Sequence, residues 1–128
     1  MSELVASMPF GERLGVHVEV ATQESVKGGL DWKPELCTAC GVLHGGVLMA
    51  LADSLGAICT YLNLPAGKTT ATIESKTNFF RGLREGRAAA VTVPLHVGRT
   101  TIVVQTDIRD GRGKRVALVT QTQAVITG

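Results

Sequence analysis

The sequence predicts an α+β fold in which one long helix packs against an antiparallel sheet of six strands. Three observations carry this prediction. Residues 45–62 repeat their bulky apolar side chains at helical spacing: Val47, Leu48, Leu51, Leu55, Ile58, Cys59 and Leu62. The segments on either side are rich in Thr, Val and Ile and alternate with a period of two. Asp110-Gly111-Arg112-Gly113 is a hairpin signal between the last two of them. A lone helix among six strands must bury its apolar stripe on one sheet face.

Taken in order, the first ten residues form a short helix or lie loose. Leu14 to Val20 alternates Leu14, Val16, Val18 and Val20 against Gly15, His17 and Glu19, the pattern of a half-buried strand. Gly28-Gly29 marks a turn or bulge, with Leu30 to Lys33 as the returning strand and Pro34 to Leu43 as a loop. The helix runs from about Gly45 to Leu62 and ends before Pro65 and Gly67. Beside its bulky face, Gly46, Ala50, Asp53, Ala57 and Thr60 form a second stripe that is small except for Asp53. Four strands follow: Thr69 to Phe80, Arg87 to Val97, Thr101 to Arg109 and Arg115 to Ile126.

Bulk properties narrow the function classes. A length of 128 residues suits one domain, here taken as residues 1–128, with a core that needs no disulfide staples. Three cysteines make an odd count, unlike a disulfide framework. A net charge of +2 gives no reason to expect a nucleic acid partner. Val47 to Leu64, the longest apolar run, is interrupted by Asp53 and marginal for a membrane span. Glu3 without a basic lead-in does not read as a signal peptide. A cytoplasmic protein without membrane attachment is expected.

The chemistry concentrates in His44-Gly45-Gly46 and Asp53. A glycine-led helix start leaves backbone N–H groups aimed outward, and that end favours an anion or an oxygen gaining negative charge. A carboxylate set in an apolar helix is costly unless used. Together these are an electrophile-binding donor at Gly45 and a catalytic acid at Asp53, the parts needed to cleave an acyl bond. The carboxylate can serve as nucleophile or as general base for water. Gly45 and Asp53 lie eight positions apart, or about 12 Å along one helix. Catalytic contacts are about 3 Å, so one carbonyl carbon cannot touch both on one chain. The spacing therefore predicts an obligate homodimer with two shared sites.

These residues, with Leu14-Gly15-Val16, Gly41-Val42-Leu43-His44-Gly45-Gly46, Leu51-Ala52-Asp53, Asn78-Phe79-Phe80-Arg81 and Gly98-Arg99-Thr100, resemble the hotdog fold. In that fold a curved sheet wraps one central helix. The resemblance is closest to the phenylacetyl-CoA thioesterase-like group and runs from Met8 to the C-terminus. It implies hydrolysis of an acyl-CoA or aroyl-CoA to free acid and CoA, with CoA as part of the substrate and neither metal nor cofactor. It also implies dimers that often pair into tetramers. Two positions depart from the family pattern. Thr38 stands where Asn or Gln often orients the thioester or a water, and Ala57 stands where Ser or Thr often follows the acid.

Gly46 and Thr38 are then candidates for substrate contact, and Arg81, Gly98, Arg99 and Thr100 for the CoA phosphates, which guanidinium forks match well. His44 positions either the turn or the thioester. His17 and His96 read as ordinary strand residues. Phe79 reads as core. Cys37-Thr38-Ala39-Cys40 lacks the second ligand pair a zinc site needs. Two alternatives stay open: a non-catalytic hotdog protein that binds an acyl-CoA or aromatic ligand, and a dehydratase acting on a carrier thioester.

Overall fold

The computed structural model describes residues 2–127. Two short helices, α1 (Ser2–Ala6) and α2 (Pro9–Leu14), precede two strands, β1 (His17–Ala21) and β2 (Val26–Asp31). After a connecting loop comes α3 (Gly45–Leu62), and then β3 (Lys68–Phe79), β4 (Arg87–Val97), β5 (Thr101–Arg109) and β6 (Arg115–Thr127). The six strands form one sheet in the order β1-β2-β4-β5-β6-β3, and every neighbouring pair is antiparallel. The helix α3 contacts all six strands, the arrangement of the hotdog fold.

The core lies between α3 and the sheet. Leu51 and Leu55 of the helix and Val26, Leu30, Ile102, Val104, Ile108 and Val119 of the strands are fully buried. Truncating a side chain of this kind costs about 2–5 kcal/mol, so this stripe fixes which helix face meets the sheet. By length and apolarity α3 could cross a membrane, yet half of it is buried on the sheet. Its exposed side carries Gly46, Met49, Asp53 and Tyr61. Thr60 does not belong to that side. It is fully buried, and its hydroxyl donates to the Gly56 carbonyl at 2.8 Å.

Two early segments differ from the sequence expectation. Leu14 closes α2 instead of opening a strand. Gly15 takes a left-handed φ of 84° and ends that helix, so the strand starts at His17. Gly28 and Gly29 form no turn but lie inside β2, pairing with β1 and β4, and the expected bulge falls on β1 opposite them, between Val18 and Val20. A Cβ on Gly28 would collide with the His17 carbonyl oxygen, and one on Gly29 with that of Ala88. These glycines permit close approach of neighbouring strands, not chain reversal. The expected loop before the helix contains two 3₁₀ turns, Pro34–Leu36 and Ala39–Gly41.

The strand β3 lies at the sheet edge and pairs only with β6. Its register shifts between Thr72 and Glu74, where Ile73 is the extra residue of a β-bulge. The bulge resets the side-chain alternation. Thr72 meets Asp53 of α3, and Phe79, an odd number of positions on, meets Gly45 of the same helix.

Candidate active site

The start of α3 is capped by His44, whose backbone is extended (φ −61°, ψ 134°). Its Nδ1 accepts a hydrogen bond from Gly46 N–H at 2.8 Å, and its carbonyl accepts from Val47 N–H at 2.9 Å. Histidine thus performs the task usually given to Ser, Thr, Asp or Asn. The sequence suggested several outward donors, but the cap consumes those of Gly46 and Val47. Of the first three helical N–H groups, only that of Gly45 has no partner among the described residues. It sits at the positive end of the helix dipole.

Gly45 borders a cleft of about 400 Å³ formed with Thr38, Val42, Leu48, Phe79 and Arg81. A Cβ on Gly45 would stand 3.1 Å from Phe79 Cζ, so any larger residue must displace the ring slightly. Phe79 is therefore not a core residue: it is 51% exposed and forms a wall of this cleft.

Asp53 opens elsewhere, into a second cleft of about 300 Å³ lined by Met8, Phe10, Gly11, Ala50, Ser54 and Ala57. The carboxylate is exposed on the protomer, which corrects the expectation that its own helix buries it: the apolar stripe faces the sheet and Asp53 lies on the other side. Its Oδ1 accepts from Gln121 Nε2 at 2.7 Å and from Thr72 Oγ1 at 3.2 Å. Oδ2 has no hydrogen-bond partner among the described residues.

The remaining sequence candidates divide between the two ends of the sheet. Arg81 follows β3 at the end where Phe79 pairs with Ala117. It joins the Gly45 cleft to a basin of about 520 Å³ that Arg84, Arg112 and Lys114 also line. Gly98, Arg99 and Thr100 form the β4–β5 turn at the opposite end, where Thr101 pairs with Ala124 and Thr100 accepts from Val125 N–H at 2.9 Å. One protomer thus brings Thr38, Gly45 and Arg81 together, but neither Asp53 nor Arg99 joins them. Gly46 lies on the exposed side of the helix start.

His17 lies on β1 with Nε2 3.6 Å from Glu19 Oε1, and His96 lies on β4 beside the Gly98 turn. Cys37, Cys40 and Cys59 are free thiols. Burial pushes the Cys59 thiol up to about 11. Among the described residues no three His, Cys, Asp or Glu side chains gather as metal ligands do.

Sequence reasoning missed Gln121, Gln123 and Thr72. A signal was present. The inward positions of the last strand read Ala117, Val119, Gln121, Gln123, and two amides in an apolar alternation are out of place. Both glutamines are buried against the helix side of the sheet.

The overall fold is shared with known proteins. The thioesterase superfamily pattern matches residues 40–117. A crystal structure of a glutamine-to-alanine mutant of the thioesterase PA1618 from Pseudomonas aeruginosa superposes with a TM-score of 0.92 at 33% identity, covering 98% of this chain and 92% of that one. The thioesterase HI1161 from Haemophilus influenzae superposes with a TM-score of 0.87 at 30% identity, covering 92% and 82%. The 1,4-dihydroxy-2-naphthoyl-CoA hydrolase of Escherichia coli is 35% identical over 86 residues, which are 67% of this chain and 63% of that protein. With this match in sequence and this helix-on-sheet architecture, the chain belongs to the hotdog-fold thioesterase superfamily.

Proposed function

We propose that the protein hydrolyses an acyl-CoA or aroyl-CoA to free acid and CoA at a site that two copies complete. One observation carries this reading: the unpaired Gly45 N–H and the open Asp53 carboxylate face different clefts of one protomer. The free edge of β3 offers a way to unite them. An exposed edge strand invites pairing. Suppose β3 of two copies paired antiparallel about a two-fold axis through Lys76, with the Thr72–Ile73 bulge of each opposite Phe79 of the other. Thr72 of one copy, which holds Asp53, would then face Phe79 of the other, which lies on Gly45.

In such a site the thioester carbonyl oxygen accepts the Gly45 N–H, where the helix dipole stabilises the developing oxyanion. The other copy's Asp53 acts in one of two ways. It attacks the carbonyl carbon, expelling the CoA thiolate and leaving an anhydride for water to cleave. Alternatively, it takes the proton of a water that attacks directly. Neither route needs a metal. His44 acts through Gly45, since its cap leaves that single donor free. Arg81 is suited to the CoA phosphates, and the neighbouring Arg84, Arg112 and Lys114 extend the positive rim. The Gly98-Arg99-Thr100 turn reaches the same CoA only from a different copy, and a tetramer could supply it. A cytoplasmic setting, where acyl-CoA is found, completes the reading.

The Escherichia coli relative's substrate makes an aromatic acyl group the first to test. Thiol release is measured over phenylacetyl-CoA, benzoyl-CoA, naphthoyl-CoA and saturated acyl-CoAs, with wild type and Asp53→Asn. Hydrolysis by wild type and its loss in the variant is the expected result. Tight binding with no thiol released by wild type would favour the non-catalytic binding protein instead.

A further inference from the structure

The carboxylate of Asp53 is not held by its own helix but by the sheet beneath it. Gln121 is fully buried on β6, and its amide reaches across to the exposed side of α3. It can do so because Gly56 lies in its path: a Cβ there would collide with Gln121 Oε1 and stand 3.3 Å from Val104 Cγ2. The orientation of the amide is fixed by chemistry. An ionised carboxylate only accepts, so the group 2.7 Å from Asp53 Oδ1 must be the Nε2 donor. Gln121 Oε1 is consequently buried without a partner. An orphaned buried acceptor lowers stability, and an apolar residue here would avoid that loss.

A second donor reaches the same oxygen through a directed chain. Thr70 Oγ1 donates to Gln123 Oε1 at 3.3 Å, and Gln123 Nε2 donates to Thr72 Oγ1 at 3.0 Å. The single Thr72 hydroxyl proton has two acceptors at 3.2 Å, Asp53 Oδ1 and Gln123 Oε1, and the carboxylate is the stronger of the two. Both donors converge on Oδ1, and Oδ2 receives none.

We infer that Gln121, seated by Gly56, is a positioning residue for Asp53: with Thr72 it occupies Oδ1 and presents Oδ2 as the oxygen that meets substrate or water. This rests on Asp53 being the catalytic carboxylate. Gln121 touches no substrate, so its loss misdirects the carboxylate without weakening CoA binding. Misplacement of a reacting group by an ångström costs on the order of 100-fold in rate.

The test uses Gln121→Met, which keeps volume but removes the donor, and Thr72→Val, which removes the hydroxyl at an exposed edge position where folding is not threatened. Initial rates are measured on the best substrate of the panel. Gln121→Met is expected to lower kcat about 10- to 100-fold and Thr72→Val less, with KM changed under about two-fold in both. Gly56→Ala should act by displacing the same amide, so Gly56→Ala/Gln121→Met should be no slower than the slower single variant. Wild-type kcat in both Gln121→Met and Thr72→Val, with Asp53→Asn inactive, overturns the positioning role and leaves the catalytic assignment standing. A rise in KM at constant kcat overturns it too. Full activity in Asp53→Asn removes the catalytic assignment itself. Should Gln121→Met not fold, the kcat of Thr72→Val decides.

Discussion

Replacing Gly45 by proline isolates one hydrogen atom. Gly45 is the first helical residue, a position where proline is well tolerated because its N–H is unpaired within a helix anyway. The preceding residue must avoid the helical region, and His44 already does, at φ −61° and ψ 134°. No hydrogen bond among the described residues is lost, since that N–H has no partner there. The new ring approaches Phe79 Cζ, 3.1 Å from the Cβ position, but that side chain is half exposed and can shift. Stability should therefore change by less than about 1 kcal/mol. Activity should not survive so well: removing one oxyanion donor costs about 100- to 1000-fold in kcat, or roughly 2.7–4 kcal/mol.

The same variant reports on who supplies what. Asp53→Asn and Gly45→Pro are co-expressed with different tags, and only the mixed dimer is purified. If each site takes Gly45 from one copy and Asp53 from the other, the mixed dimer has one intact site and one doubly damaged site. It should release thiol at about half the wild-type rate per dimer, although each parent is nearly inactive. If both groups served a site within one chain, every site would carry one lesion and no activity would return. That absence of recovery, in mixed dimers shown by sedimentation to be intact, would refute the shared site. Wild-type kcat in Gly45→Pro would refute the oxyanion role.

Two further predictions concern the scaffold. The Asp107 carboxyl feels partial burial that raises its pKa, but hydrogen bonds from Arg115 and Arg109 outweigh it and hold the value below the usual carboxylate range. A depressed value in the folded state means the pair stabilises the fold above the unfolded value near 3.8 and loses that effect as pH falls through the lower folded value. Because both arginines are exposed and Asp107 itself is partly solvated, Asp107→Asn should cost under about 1 kcal/mol at neutral pH, and the difference in melting temperature from wild type should close below about pH 4. The thiols should also separate by reactivity. With a thiol reagent at pH 8, exposed Cys40 should react readily in the native protein, and buried Cys59, with its pKa raised to about 11, should react only on unfolding.

Much of the scaffold was legible because period and punctuation agreed. The bounds of α3, β4 and β5 follow the sequence reading residue for residue, with Pro65, Gly98 and Asp110-Gly111 as stops. The errors share a physical cause: glycine signals both a turn and a close approach, and sequence alone cannot say which. Gly28-Gly29 reads as a turn or a bulge; it is no turn but the crowded middle of three strands, where β1 bulges opposite Gly28. Gly15 was read within an alternation and is instead a helix stop. At the candidate site the local parts were visible, because His44, Gly45 and Asp53 belong to one continuous helix. Gln121 was not, since its bond to Asp53 spans 68 positions and depends on the bare flank of Gly56. The exposure of Asp53 was also hidden, because a helix pattern says which stripe is apolar, not which partner covers the other.

The extra residue at Ile73 gives the length of β3 a functional meaning. Thr72 and Phe79 lie seven positions apart, an odd step that strict two-residue phasing would split between the two faces; the bulge absorbs it, so the carboxylate's tether and the aromatic wall beside the amide donor share one face of the ribbon. A single codon inserted or deleted between Glu74 and Phe79, with the bulge kept, would thus leave composition and hydropathy almost untouched while uncoupling the two half-sites. Spacing here is itself a heritable functional element, one that substitution scanning alone would never expose.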